Sequence, residues 1–436
     1  MQQRYVKLGQ RLFIFSFVLL IAFGTLLLKL PGAYTKGALS WTDSLFTATS
    51  AVCVTGLTVV GVEEFSWGGQ FTLLILMQLG GLGIMTLSAL ILLLLGGGLS
   101  FSDSLIVSNL NDKFSLRGTE SLTRTVVAYS FASEAVGFLV ILPGCLLKGG
   151  APWWQCIWNA LFLAVSSFCN AGFAPFRDSL IGQHWLTRLG CGGMIVFGGL
   201  GVYVIYDLIQ FVKKRRRALR IHSKIVLVTT AVLLIVGTTL FKIFGDCSDV
   251  PISLADSLFM SATCRTAGFN SVEIAKLPAV SLALCIVLMM VGGSPGSTAG
   301  GIKTSTFAVA VAAICNTLKG NQETLIFRRR IPYVVVLRAF TIIVLFSLLA
   351  VFGAVLLQLA SPALEITDNT FETVSALCTV GLSIGDTTVK QTPAGKWLLT
   401  ALMFLGRIGP FTFLLFLLDR ETSSQLKYPE ERVIIG

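Results

Sequence analysis

The sequence predicts an all-α polytopic membrane protein: four pseudo-symmetric repeats, each helix, re-entrant pore helix, helix, around one central pore. Three observations predict it. Hydrophobic residues fill 54% of the 436 positions and charged residues 13%, about half the ~25% of a soluble domain. Apolar runs of roughly 20 residues, the length of a membrane-crossing helix, recur along the whole chain. An acid or amide followed at near-constant spacing by Phe, Cys and Gly recurs in four places. This composition excludes a water-soluble globule of this length, a disordered chain, a collagen and a secreted disulfide scaffold.

Eight long apolar segments are expected, near 11–30, 69–95, 124–147, 186–212, 224–244, 277–317 (interrupted), 333–360 and 397–418. Each successive pair encloses a shorter, semi-polar stretch, near 42–53, 154–168, 254–264 and 368–378. These are too short to cross a bilayer and read as re-entrant helices. The first opens on N-cap residues, Ser40-Trp41-Thr42-Asp43. The repeats accordingly span 1–95, 96–212, 213–318 and 319–419, with a cytoplasmic tail at 420–436.

Basic residues orient the chain. Of 33 Lys and Arg, 21 fall in the two termini and the loops at 96–124, 213–224 and 319–338, densest at Lys213 to Arg217. These are alternate loops, so the positive-inside rule puts both termini in the cytoplasm. The net charge of +11 is thus a topology signal, with no nucleic-acid partner; a docking surface for an acidic partner is the second reading of the basic run. The acids Glu63, Glu64, Asp178, Asp246, Asp249, Glu273, Glu365 and Asp386 fall on the outside, where an acidic mouth would concentrate cations.

The repeats align residue by residue. Copy one reads Asp43, Phe46, Ser50, Cys53 and Gly56; copy four reads Asp368, Phe371, Ser375, Cys378 and Gly381 at identical spacing. Copy two keeps the spacing with Asn159, Phe162, Ser166, Cys169 and Gly172; copy three is one residue shorter, with Asp256, Phe259, Cys264 and Gly268. A second feature follows each: Gly80 to Gly83, Gly198 to Gly201, Gly292 to Gly296, and Gly406 to Gly409. The glycine loops read Val54-Thr55-Gly56-Leu57, Asn170-Ala171-Gly172-Phe173, Thr266-Ala267-Gly268-Phe269 and Thr379-Val380-Gly381-Leu382. Their side chains are apolar or uncharged polar, which leaves backbone carbonyls to meet a permeating ion. Carbonyl rings suit a weakly hydrated monovalent cation, chiefly potassium. An anion path would want Arg or Lys rings and a calcium path carboxylates.

This constellation resembles the superfamily of potassium transporters that includes the Trk, Ktr and plant high-affinity types. The membrane subunit of the bacterial Ktr system is the nearest likeness within it, from the early start of the first repeat near Arg11 and the ending Tyr428-Pro429-Glu430-Glu431 through Gly436. The resemblance implies a homodimer with one pore per subunit, K+ as the transported ion, and a cytosolic ring of nucleotide-binding regulatory subunits. Only one glycine stands in each loop, a departure from the fuller potassium-channel signature. A sodium-permeable or sodium-coupled transporter of the same fold is the competing reading.

Segment 277–317 cannot remain one helix. Its middle, Gly292-Gly293-Ser294-Pro295-Gly296-Ser297-Thr298-Ala299-Gly300-Gly301, holds five glycines and a proline. With Lys303 it resembles the family's intramembrane gating loop, over 292–303. Close helix packing and a phosphate loop are its alternatives. Ile302 between glycine and lysine, and the absence of a preceding strand, argue against the phosphate loop, so no nucleotide is expected on this chain. Arg407 sits where the other copies carry Gly81, Gly199 and Gly293. There it would slow cations and anchor loop carbonyls, or else brace two helices through an acid. Arg265 is expected to brace its loop from behind, with a role in the pore as the second reading, and Glu134 is expected beside a polar neighbour. Nine of ten cysteines lie in apolar or small-residue stretches, Cys247 being the exception, and Cys53, Cys169, Cys264 and Cys378 read as packing rather than a Cys₄ metal site. An intramembrane hydrolase would need a paired nucleophile and base, and a scaffold would not need four broken loops.

Overall fold

The computed structural model describes residues 2–94, 116–214, 218–248, 251–410 and 413–414, with side chains among them at 14–83 and from 126 on. Asp249, the run Arg215 to Arg217 and the tail ending at Tyr428 to Gly436 lie outside the described residues.

Every expected apolar segment is helical where described, as Gln2–Lys29, Trp67–Leu94, Leu116–Lys148, Trp185–Leu200 with Val202–Val212, Ile221–Asp246, Ala279–Met290 with Thr304–Leu318, Tyr333–Ala360, and Pro393–Ile408. Among the described residues, Val126–Lys148, Ile221–Asp246 and Tyr333–Ala360 are long and apolar enough to cross a bilayer, and Trp185–Val212 is a fourth if its two parts count together. Gln2–Lys29 and Trp67–Leu94 are continuous helices of 28 residues each, and breaks shorten the remaining two. The segment expected at 186–212 bends by 94° between Leu200 and Val202, where Gly201 holds φ 78°. Helix Pro393–Ile408 likewise stops at Gly409, φ 88°. Only the break in 277–317 was expected.

Tyr333–Ala360 is apolar all round. Val344, Leu348, Val351, Phe352 and Val355 are exposed, while Phe346, Ala350, Ala354 and Leu357 are buried. A helix with two apolar faces belongs in a lipid phase or a deep core. The four short stretches form helices Trp41–Val52, Trp153–Cys169, Leu254–Thr263 and Ile366–Leu377. Their repeated phenylalanines Phe46, Phe162, Phe259 and Phe371 are all buried, so these helices form the centre and the long helices the jacket. Ser40 caps the first as its composition predicts: its Oγ accepts from Asp43 N at 3.0 Å and donates to the Asp43 carboxylate at 2.7 Å. Ser253 does the same for Asp256. Such a cap stabilises a helix start by about 1 kcal/mol.

Polar ties join one copy to the next. Trp158 donates to Gln70 Oε1 at 2.7 Å. Arg188 pairs with Asp256. Lys396 pairs with Asp43 at 2.8 Å, joining the last copy to the first. The one sheet among the described residues is a small hairpin, Leu325–Ile326 with Arg329–Arg330. Its turn residues Phe327 and Arg328 hold φ 49° and 59°, the left-handed pair a two-residue hairpin requires.

Candidate functional site

Each short helix ends in a loop of one backbone shape. Val54, Asn170, Thr266 and Thr379 hold φ 55°, 57°, 68° and 51°, and the glycines two residues on, Gly56, Gly172, Gly268 and Gly381, hold φ 96°, 73°, 77° and 93°. Left-handed Val and Thr are outliers that cost about 1–2 kcal/mol each. Three such outliers, with a left-handed Asn170 at the fourth matching position, point to function. A hydroxyl on each short helix holds the loop. Ser50 Oγ accepts from Gly56 N and Ser375 Oγ from Gly381 N, both at 3.1 Å. Ser166 Oγ donates to the Phe173 carbonyl at 2.7 Å. Thr263 Oγ1 accepts from Phe269 N and donates to Phe269 O, both at 2.8 Å. Thr263 thus does in copy three what the serine does in its counterparts, one residue nearer the glycine.

The loops close on one another. A methyl group on Gly56 would stand 2.5 Å from the Ala171 carbonyl oxygen, one on Gly172 2.8 Å from Ala267 O, one on Gly268 2.3 Å from Val380 O, and one on Gly381 2.1 Å from Thr55 O. The circuit runs through copies one to four and returns. Outside it lies a bowl of about 390 Å³ whose lining includes Glu63, Asp178, Glu273 and Asp386, one acid from each copy. At its edge Lys36 and Tyr34 donate to the Glu64 carboxylate, both at 2.7 Å, and hold its pKa below the usual range.

Below the loops the long helices press in. Methyl groups on Gly80, Gly198 and Gly406 would meet the carbonyls of Val52, Phe168 and Leu377 at 2.0, 2.0 and 1.8 Å. These carbonyls end the short helices, so only glycine allows the approach. In copy three the connecting loop intervenes, and Gly292 faces Gly300 O at 1.9 Å in the same sense.

That loop is fastened on several sides. Ser294 N and Thr298 N donate to the Gly199 and Gly198 carbonyls at 2.9 and 3.3 Å, and Val202 N donates to Gly296 O at 3.1 Å. These bonds use the groups that the bend at Gly201 frees. Ser294 Oγ donates to Leu200 O, and Ser297 Oγ to Ser294 O at 2.7 Å. Thr298 Oγ1 donates to Phe168 O at 3.1 Å and lies 3.2 Å from the Asn170 amide. Lys303 Nζ donates to Ala299 O at 2.6 Å. A methyl on Gly300 would stand 2.0 Å from Thr379 Oγ1. The loop therefore sits directly against the start of the fourth glycine loop.

Arg407 is buried. Its Nη1 donates to Thr298 O at 2.5 Å and its Nη2 to Gly80 O at 2.8 Å. Among the described residues no carboxylate pairs with it, so the acid-paired brace is not what the geometry contains. Arg265 is buried too and turns toward Thr230 at 3.5 Å, on helix Ile221–Asp246. Glu134 accepts from Gln78 Nε2 at 2.7 Å, and Cys169 Sγ donates to Gln78 Oε1 at 3.6 Å. All ten cysteines are free, and Cys315 is exposed along with Cys247. Among the described residues no cluster of His, Cys, Asp or Glu could hold a metal. Two buried acids, Asp207 and Glu372, escaped the sequence reading. Glu372, in the fourth short helix, is buried and accepts from Ser383 and Thr388. Its signal was the departure from Thr47, Leu163 and Met260 at the matching positions.

Residues 16–425 match the sequence model of a family described as "TrkH: Cation transport protein". The chain is 37% identical to "Ktr system potassium uptake protein B" of Vibrio alginolyticus, over 98% of this chain and 94% of that one. It is 34% identical to "Potassium/sodium uptake protein NtpJ" of Enterococcus hirae, over 97% and 96%. Its fold is similar to the crystal structure of the potassium transporter TrkH from Vibrio parahaemolyticus, with TM-score 0.68 and 20% identity over 92% of this chain and 84% of that one.

Proposed function

The chain belongs to the TrkH family of cation transport proteins, and on that premise we propose that it is the ion-translocating subunit of a potassium uptake system, conducting K+ passively down its electrochemical gradient. Loops 54–57, 170–173, 266–269 and 379–382 form the selectivity filter of a single pore surrounded by four repeats. The observation that carries this reading is the closed circuit of glycine-to-carbonyl approaches from Gly56 to Thr55 O. A ring this tight excludes side chains and leaves backbone oxygens to replace an ion's hydration shell. The acids of the outer bowl draw cations toward it.

The loop 292–303 is the gate, held shut by Arg407. An uncompensated positive charge in a low-dielectric path opposes a cation by several kcal/mol, roughly, unless water or carbonyls screen it. The basic face is cytoplasmic, with both termini, in a multi-pass chain of the bacterial cell membrane. Transport rather than enzymatic catalysis is its activity. The "Ktr system" in the relatives' names supports further components. We assign these as a second copy of this chain, making a homodimer, and a cytosolic ring of nucleotide-binding subunits.

The name of the Enterococcus hirae relative favours a second reading, in which sodium permeates or is coupled. One experiment separates the two. The purified chain is reconstituted in liposomes and its flux of potassium, rubidium and sodium is measured with each cation alone. Potassium and rubidium flux well above sodium supports the first reading. Equal flux of sodium, or potassium flux that requires sodium, supports the second, and no cation flux at all defeats both.

A further inference from the structure

We propose that Glu372 is a positioning residue for the fourth glycine loop, its buried carboxylate holding the outer end of that loop in register with the first. The inference rests on the reading of loop 379–382 as part of the ion path. Glu372 lies wholly buried on helix Ile366–Leu377. Ser383, the residue that follows Leu382, donates its hydroxyl to Glu372 Oε1. Thr388 Oγ1 donates to Oε2 at 3.0 Å and lies 3.1 Å from Ser383 Oγ. The three groups close a triangle between the short helix, the exit of the loop and the turn Thr387–Lys390. Among the described residues no base pairs with Glu372.

A carboxylate without a cation survives burial only when its oxygens are hydrogen-bonded. The two hydroxyls are therefore fixed by Glu372 as firmly as it is fixed by them. Copies one to three lack this device, having Thr47, Leu163 and Met260 at the matching positions. In copy three the residue that follows the loop, Asn270, is held from the neighbouring segment instead: its N donates to Ser179 Oγ at 3.1 Å, and its carbonyl accepts from Leu180 N at 3.0 Å. Copy four has its own helix as the anchor. The anchor matters because loop four has the tightest approach of the circuit, Gly381 against Thr55 O. A small swing of Ser383 would carry Val380 and Gly381 with it and shift carbonyls of two loops.

The test is the sodium-to-potassium flux ratio in liposomes at matched protein density, for the unaltered chain and for E372A, E372Q, S383A, E372A/S383A and G56A. We expect E372A and S383A each to raise the ratio by about threefold or more, and the double variant to go no further than E372A, because both remove one interaction. E372Q should stay within about twofold of the unaltered chain, since its amide oxygen still accepts from Ser383 and its nitrogen can donate to Thr388. A purely structural role would lower yield or melting temperature and leave the ratio of the folded molecules unchanged; that result overturns the proposal. Should E372A fail to fold, S383A decides alone, and an unchanged ratio there sinks the idea. If G56A shifts the ratio and S383A does not, the inference on Glu372 falls by itself. If neither shifts it, the reading of the loops as a filter falls too.

Discussion

Arg407 donates through Nη1 to the carbonyl oxygen of Thr298 at 2.5 Å, tying the end of helix Pro393–Ile408 to the loop that interrupts copy three. Its other terminal nitrogen reaches Gly80 O at 2.8 Å. One planar side chain thus joins copies one, three and four. A lysine could reach one of these carbonyls but lacks the fork to hold both.

The first prediction follows for the proposed gate. Changing Arg407 to Ala removes both the charge and the tether, and should raise potassium flux at least severalfold while selectivity survives, since about 1.4 kcal/mol is a tenfold rate change. R407K should fall between, retaining charge but only one bond. Deleting part of 294–300 should also raise flux. Liposome flux at matched density is the measurement, and unaltered rates in both R407A and the deletion would place the gate elsewhere.

The proposed filter predicts a graded series. Replacing each loop glycine by Ala adds a methyl in left-handed backbone, where strain costs about 1–2 kcal/mol, and brings it against a carbonyl. The approaches are 2.1 Å for Gly381, 2.3 Å for Gly268, 2.5 Å for Gly56 and 2.8 Å for Gly172. Loss of potassium flux, or of discrimination against sodium, should follow that order, with G381A worst and G172A mildest. Four variants that express normally and match the unaltered chain would remove the filter assignment.

What could be read from the sequence follows from how local each signal is. The short helices were legible because Phe46, Cys53, Gly56 and their counterparts carry a spacing that survives in every copy, and the break at Gly292 to Gly301 because proline and glycine forbid helix locally. The bend at Gly201 was not legible. The residues after it, Val202 to Val212, are apolar apart from Asp207 and Gln210 and read as more of the same span. The bend is stabilised by Gly296 O accepting from Val202 N, a bond between distant segments. Gly83 occupies the matching place in copy one and stays helical, so the glycine alone does not decide. Glu372 was hidden for a similar reason: beside Asp368 and Asn369 it looked like one more polar residue of a short helix.

The seam between the last copy and the first predicts a coupling energy. Lys396 and Asp43 pair at 2.8 Å with side chains only 14% and 22% exposed. Lys36 and Glu64 also pair at 2.7 Å, but with the lysine 65% exposed. Exposed pairs contribute about 0–1 kcal/mol, whereas a sheltered pair in contact couples more strongly, by roughly 1–2 kcal/mol. A double-mutant cycle of K396M and D43N on thermal stability in detergent should return the larger value, and the same cycle on K36M and E64Q the smaller. Equal couplings would mean the seam is not held there.

On the face proposed to be cytoplasmic, the hairpin turn presents Arg328, Arg329 and Arg330 to solvent, with Arg330 paired to Glu323 at 3.0 Å. Reversing Arg328 and Arg329 to Glu should reduce recovery of the proposed nucleotide-binding subunits on co-purification by several-fold and leave basal flux of the isolated chain unchanged. Undiminished recovery would move the docking surface to another part of the basic face.

The acids of the outer bowl make the last prediction, and ionic strength is what isolates it. Glu63, Asp178, Glu273 and Asp386 lie around one opening, one from each copy, so their fields add at the entrance. Glu273 is partly offset by Lys276, with which it pairs at 2.7 Å. Arg177 also lines the bowl and opposes the rest. The net effect still favours cations, and such focusing raises local ion concentration by about tenfold or more at low salt. Neutralising Glu63, Asp178 and Asp386 together should therefore lower potassium entry several-fold at about 0.01 M ionic strength, where the screening length is about 30 Å. At about 1 M of an impermeant salt that length falls to about 3 Å, and the triple variant should match the unaltered chain. Selectivity should not change at either strength, because the filter loops are untouched. A deficit that persists at high salt would assign these acids to the shape of the mouth rather than to its field.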